Sequence, residues 1–223
     1  MITNLTEHVP GLYSAECNLD LVALKCSTRE IEEIVKKSFK ASKSDYRGQS
    51  TTTTKLYSKY NFCLYPLPMI NELYWTIHQM FHTCLTEFHK GRVENKFVMQ
   101  SWLNVYQKGE FIDWHSHTDT AIGGWHGFYC LNTEPESSTY YKWENDPSKT
   151  QIEIKSKNNL IVIGATNGDK HKSSVWTEEE PRITIAFDIL PADKVYENSQ
   201  RMYGSYIKAM RKNACYVNHW IPM

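Results

Sequence analysis

Two spacings of apolar residues divide this sequence. Up to about residue 95 they recur at helical intervals, and from Lys96 they alternate as in strands. Ser27-Thr28-Arg29-Glu30 has the form of a capping box and precedes Ile31, Ile34, Val35 and Phe39, which predicts a helix there. A longer helix is predicted after Pro68, because Ile70, Leu73, Tyr74, Ile77, Met80, Phe81, Leu85 and Phe88 repeat near every 3.6 residues until Gly91. Between the two, the Ser- and Thr-rich stretch from Ser44 to Thr54 reads as a mobile surface loop rather than part of a site. The predicted strands are Phe97–Tyr106, Trp125–Asn132, Thr139–Trp143, Gln151–Lys155, Leu160–Gly164 and Arg182–Leu190. In the last, Ile183, Ile185, Phe187 and Ile189 alternate with Thr184, Ala186 and Asp188, the pattern of a half-buried strand.

Many short strands behind a helical block predict a sandwich or barrel buttressed by helices. The tail from Ala192 to Asn213 is predicted to be helical again. Without an internal repeat or a clear linker, the chain reads as one domain over residues 1–223. It would have a helix-rich part at 1–95, a β core at 96–190 and a helical tail from 191. A length of 223 residues with 41% hydrophobic content suffices for one well-buried core.

Charge narrows the partners. With 25 basic and 25 acidic residues the formal charge is zero, which removes any global attraction to nucleic acid or membrane. The six cysteines are scattered without a CxxC pair, so zinc-ribbon and thioredoxin chemistry lack support. No signal-peptide pattern and no apolar run of membrane-spanning length is visible, which predicts a cytoplasmic protein with free thiols.

The candidate chemistry lies in Trp114-His115-Ser116-His117-Thr118-Asp119 and in His171. Iron(II) that must also bind a bidentate co-substrate and dioxygen needs three protein ligands on one side, usually two histidines and a carboxylate. Ligands at i and i+2 share one face of an extended segment. Both His115/His117 and His117/Asp119 meet that rule, and His171 is placed to be the distal ligand. A carboxylate would offset part of the metal's charge, which favours His117, Asp119 and His171, with His115 as the alternative. His126, beside the cluster, reads as structural or as a support to the ligands.

The elements Ser101-Trp102-Leu103-Asn104-Val105-Tyr106-Gln107-Lys108-Gly109, Trp114-His115-Ser116-His117 and Gly127-Phe128-Tyr129 resemble the 2-oxoglutarate/iron(II) dioxygenase superfamily. The likeness is to its prolyl-4-hydroxylase-like branch and to bacterial and phage members. It continues in His171 followed by Arg182-Ile183-Thr184, and it covers roughly Phe97 to Leu190. The resemblance implies a double-stranded β-helix, the jelly-roll or cupin-like barrel, packed against N-terminal helices. It implies iron(II), with 2-oxoglutarate as co-substrate and dioxygen as oxidant. Arg182 would hold the distal carboxylate of 2-oxoglutarate beside Thr184, and Asn104 and Tyr106 would also contact it. The spacing of Tyr106 and Gly109 from His115 places the first metal ligand at His115 by this likeness, so His117 would take the usual carboxylate position.

A guanidinium and a hydroxyl two residues apart on one strand face suit a buried carboxylate. Trp102, Trp114, Trp125, Tyr129 and Trp143 suit a dry cavity, and Tyr140, Tyr141 and Trp143 an entrance. The expected reaction is hydroxylation of a protein side chain, such as prolyl, or of a small molecule, with release of succinate and CO2. Nucleic acid is the less favoured substrate. A cupin-like module that binds metal without turnover is the rival, and it has no use for Arg182 and Thr184.

Overall fold

The computed structural model describes residues 2–39, 54, 56–91, 96–117, 123–135, 137–143, 151–166, 169–195 and 220–223. The chain opens with a hairpin of β1 (Thr3–Val9) and β2 (Leu12–Glu16), which the sequence reading lacks. Gly11 turns it at φ +89°, in the region that favours glycine. β1 is largely exposed at the sheet edge and so carries no apolar pattern.

Helix α1 spans Leu21–Ser38, earlier than the capping box predicts. Asp20 is the cap: its Oδ1 accepts from the amides of Val22 and Ala23, both at 3.0 Å. Ser27 lies inside the helix and donates to the Ala23 carbonyl instead. The buried stripe is Leu24, Thr28, Ile31 and Val35, while Ile34 is exposed. Helix α2 spans Pro68–His89, with Pro68 in its first turn and Lys90 in the left-handed conformation at its end. Two short 3-10 turns, Tyr57–Lys59 and Phe62–Leu64, precede it.

The strands that follow are β3 (Phe97–Tyr106), β4 (Trp125–Asn132), β5 (Ser138–Trp143), β6 (Ile152–Lys155), β7 (Leu160–Ala165), β8 (Asp169–Ser173), β9 (Arg182–Pro191) and β10 (Ile221–Pro222). They form a large antiparallel sheet, β1-β2-β7-β4-β9-β3-β10, and a small one, β6-β5-β8. The described part of the predicted C-terminal helix is residues 192–195; the rest lies outside the described residues. No helix among the described residues is long and apolar enough to cross a membrane.

The centre of the large sheet is buried on both faces, so β9 is not the half-buried strand its alternation suggests. Ile183, Ile185, Phe187 and Ile189 join the core that contains Leu24, Ile77 and Phe81 from the helices. Arg182, Thr184 and Ala186 face the other way and are buried as well, because the small sheet covers them. A polar row with a buried environment is the mark of a lined cavity rather than of a solvated face.

Gly127 shows how tightly the helix-facing layer is filled. A Cβ there would lie 2.3 Å from the Val162 carbonyl oxygen and 2.6 Å from the Phe187 ring. Gly127→Ala is therefore expected to cost about 3 kcal/mol of stability through forced displacement of backbone, read as a lower midpoint in urea unfolding.

Candidate functional site

Register builds the site before any side-chain contact does. In the β3–β9 pairing, Asn104 lies opposite Thr184 and Tyr106 opposite Arg182. Those four residues thus form two adjacent cross-strand pairs on one sheet face. β4 pairs with the other edge of β9 and sets His126 opposite Asp188. All four residues that the sequence likeness assigns to the co-substrate line the same cavity as His115, His117 and His171.

The histidines arrive by a second route. Residues after β3 run antiparallel to β8 and extend the small sheet. Trp176 N–H donates to Glu110 O at 3.0 Å, and Ser173 N–H to Ile112 O at 3.0 Å. His115 and His171 then exchange both backbone hydrogen bonds, N to O at 3.0 and 2.9 Å. Two ligand candidates separated by 56 residues become direct neighbours, with ring centroids 4.2 Å apart. β8 has alternating burial, but its inward residues are Asp169, His171 and Ser173. A search for apolar alternation does not detect such a strand.

His115, His117 and His171 each offer a ring nitrogen within 4.8 Å of the others. A second group, His126, Asp169 and His171, meets the same criterion and is fully buried. The rings of His117, His126 and His171 are nearly parallel, with centroids 4.7 to 5.1 Å apart, so they form a triangle rather than a column. Asp119, the carboxylate favoured from sequence, lies outside the described residues.

Oxygen atoms lie at hydrogen-bond distance from Nδ1 of His115 and His117. His115 Nδ1 is 2.8 Å from the Asp113 carbonyl, and His117 Nδ1 is 2.6 Å from Asp188 Oδ1. His171 Nδ1 is 3.6 Å from Asp169 Oδ2 and makes no hydrogen bond. Asp169 Oδ2 is held instead by His126 Nε2 at 2.7 Å. An acceptor at Nδ1 leaves Nε2 as the lone-pair nitrogen, the usual arrangement behind a metal-bound histidine.

Burial and neighbouring charge set the protonation. Burial, then the proximity of His117, pushes the His115 pKa down to about 4. Burial, with His115 alongside, also holds His171 well below the ordinary value. For His117 burial acts downward, but the charge and hydrogen bond of Asp188 outweigh it and raise the pKa. Burial would raise Asp169, yet His126 and His171 keep its carboxyl well below the usual range. Neutral imidazoles at His115 and His171 have lone pairs available to a cation.

Arg182, Thr184, Asn104 and Tyr106 bring hydrogen-bond donors to the same cavity. Arg182 is 3% exposed, its guanidinium lies 5.3 Å from the Tyr106 ring centroid, and its Nε has no hydrogen-bond partner. Among the described residues no carboxylate forms an ion pair with it. Thr54 is buried here, against the reading of Ser44 to Thr54 as a surface loop; residues 44–53 lie outside the described residues. Its hydroxyl donates to Asn104 Oδ1 at 2.8 Å, which turns the Asn104 amide nitrogen away from that contact.

Of the aromatics predicted to dry the cavity, Trp102 lines it, its ring centroid 6.1 Å from that of His117. Trp125 instead meets Phe81 and Phe88 on the helix side, and Tyr129 donates to Asn159 Oδ1. The odd-numbered positions of β4 face the helices, which excludes both from the cavity. Trp114 points outward under Lys142 and Lys172, with the Lys142 ammonium 4.4 Å from its ring centroid. Tyr141 is fully buried against His171, while Tyr140 meets Lys172, so the two do not share an entrance. Asp188, Asp169 and Thr54 are missing from the sequence reading. Only Asp188 carried a signal there, as the continuation of the Arg182, Thr184 and Ala186 row.

No family model matches this sequence, and no curated protein matches it. Solved structures do. The non-haem α-ketoglutarate-dependent epimerase SnoN of nogalamycin biosynthesis superposes with a TM-score of 0.56 at 9% identity, covering 82% of this chain and 77% of that one. A Pseudomonas putida prolyl-4-hydroxylase gives 0.52 at 10% identity, covering 82% and 93%. AviO1 from Streptomyces viridochromogenes Tue57 gives 0.54 at 13% identity, covering 82% and 90%. The chain has the double-stranded β-helix fold of the 2-oxoglutarate/iron(II) oxygenases, as the sequence resemblance implies.

Thr54→Val should leave Asn104 Oδ1 buried without its donor, at a cost of about 2 kcal/mol. Urea unfolding would read that loss, and Thr54→Ser, which retains the hydroxyl, should restore most of it.

Proposed function

We propose that this chain is a single-domain, iron(II)- and 2-oxoglutarate-dependent oxygenase that hydroxylates a protein side chain, such as prolyl, or a small molecule. One observation carries the reading: a buried arginine without a carboxylate partner shares a cavity with three converging histidine nitrogens. A buried guanidinium left unpaired is costly, and a dicarboxylate reaching from the metal to Arg182 would relieve it. A module that only bound metal would have no need of that arginine, which disfavours the cupin-like alternative. The five described cysteines are unpaired, as suits the cytoplasm.

The donor set fits the metal. His115, His117 and His171 hold it in this reading, since these are the described residues whose nitrogens converge while their Nδ1 sides face oxygen atoms. His117, Asp119 and His171 is the competing set. Arg182, Thr184 and the Asn104 amide nitrogen bind the distal carboxylate of 2-oxoglutarate, and Tyr106 stacks on the guanidinium and keeps it in place. Trp102, Ile112, Phe128 and Ala186 exclude water from the same cavity. When bound, iron(II) with 2-oxoglutarate and dioxygen supplies oxidation of a substrate C–H bond coupled to decarboxylation to succinate and CO2. The trans-acting choice of substrate rests with surfaces beyond these residues, and the prolyl-4-hydroxylase likeness is the support for a peptide.

Anaerobic titration of the iron(II) protein with 2-oxoglutarate should develop a weak visible charge-transfer absorption, and admission of oxygen should release succinate. Absence of both would sink the oxygenase reading. Arg182→Ala is expected to weaken 2-oxoglutarate binding about 100-fold while iron still binds, as followed by the same titration. In the ligand comparison, His115→Ala should lose iron and Asp119→Ala should retain it. The reverse outcome would assign the metal to His117, Asp119 and His171.

A further inference from the structure

The three-histidine set raises a question of charge. Three neutral imidazoles leave the full double charge of the ion to be balanced elsewhere, and burial makes imbalance expensive. Two carboxylates stand immediately behind the ring cluster. Asp188 is 2.6 Å from His117 Nδ1, with 18% of its side chain exposed. Asp169 is 1% exposed, 2.7 Å from His126 Nε2 and 3.6 Å from His171 Nδ1, and its Oδ1 has no hydrogen-bond partner. Among the described residues neither carboxylate meets a lysine or an arginine; each forms its ion pairs with histidines alone. Two buried or half-buried negative charges facing converging imidazoles match one divalent cation.

We propose that Asp188 and Asp169 act as positioning residues that supply, from behind the ligands, the two negative charges a three-histidine divalent metal site lacks. The proposal rests on the metal reading given above. Asp188 fixes the His117 ring with Nε2 inward and makes it a stronger donor. Asp169 acts on His171 through its charge, across 3.6 Å and without a hydrogen bond, and His126 holds Asp169 in place by hydrogen-bonding the same oxygen, Oδ2, at 2.7 Å. The His126, Asp169 and His171 group is therefore not a second site, because its nitrogen and carboxylate are engaged with each other. Backbone placement is consistent throughout: Asp188 continues the inward row of β9 that begins with Arg182, and Asp169 is two residues from His171 on β8.

The test uses cobalt(II) and iron(II) as probes, without oxygen, on the full chain. Asp188→Asn and Asp169→Asn keep shape and remove charge. Each should weaken cobalt binding about 10- to 100-fold in competition with a chelator. The cobalt absorption bands should keep their positions, since the ligands are unchanged. The iron(III)/iron(II) potential should move positive in both variants, a change that a merely structural role would not produce. Parental affinity and potential in both variants would overturn the proposal. So would loss of cobalt in Asp169→Asn as complete as in His171→Ala with altered bands, which would make Asp169 a direct ligand. Should Asp169→Asn fail to fold by circular dichroism, the more exposed Asp188→Asn decides alone. If the parent protein binds neither metal, the metal reading itself falls, an outcome distinct from either of these.

Discussion

The reciprocal backbone hydrogen bonds between His115 and His171 are the constraint on which the site depends. One residue belongs to the segment that leaves the large sheet, the other to a strand of the small sheet. Joining them closes the small-sheet wall of the cavity and sets the two rings at contact distance. Because side chains alternate along an extended chain, the same bond fixes His117 inward and Trp114 outward. A slip of one residue would exchange Trp114 for His115 and remove two ligand candidates at once.

β9 gives the barrel its second axis. Its odd positions complete the apolar core against the helices, and its even positions present Arg182, Thr184 and Ala186 to the cavity and Asp188 to the back of His117. One strand therefore carries the buried guanidinium and the charge behind His117, at a separation set by the strand's rise per residue. β3 and β4 flank it in register, so the cavity's chemistry is distributed over three neighbouring strands rather than over loops. Sites built on such elements hold their geometry better than loop sites.

Much of this was legible in the sequence where apolar residues alternate. β3, β4, β5, β6, β7 and β9 lie within a residue or two of the predicted spans, and α2 begins at Pro68 as read. Elements whose inward residues are polar escaped: β8, with Asp169, His171 and Ser173, has strand periodicity but no hydrophobic signal. The N-terminal hairpin escaped because β1 is exposed and β7, which pairs with the other edge of β2, is distant in the chain. The capping box misled because Ser27 has a competing hydrogen bond within the helix, and Asp20 caps it earlier. In the site, residue type and i, i+2 spacing pointed to the histidines and to Arg182 and Thr184. Asp188 was signalled only as the next member of the Arg182, Thr184 and Ala186 row, and Asp169 and Thr54 could be found only once distant segments were set side by side.

The polar interior of β8 has a consequence for how the molecule holds together. The large sheet is cemented by burial of aliphatic and aromatic side chains, which needs nothing from outside. The cavity is lined instead by Thr139, His171 and Ser173 of the small sheet and by Asn104, Arg182 and Thr184 of the large one, groups whose burial yields little unless their charges and lone pairs are met. A ligand that satisfies those groups therefore adds its binding free energy to the stability of the folded barrel.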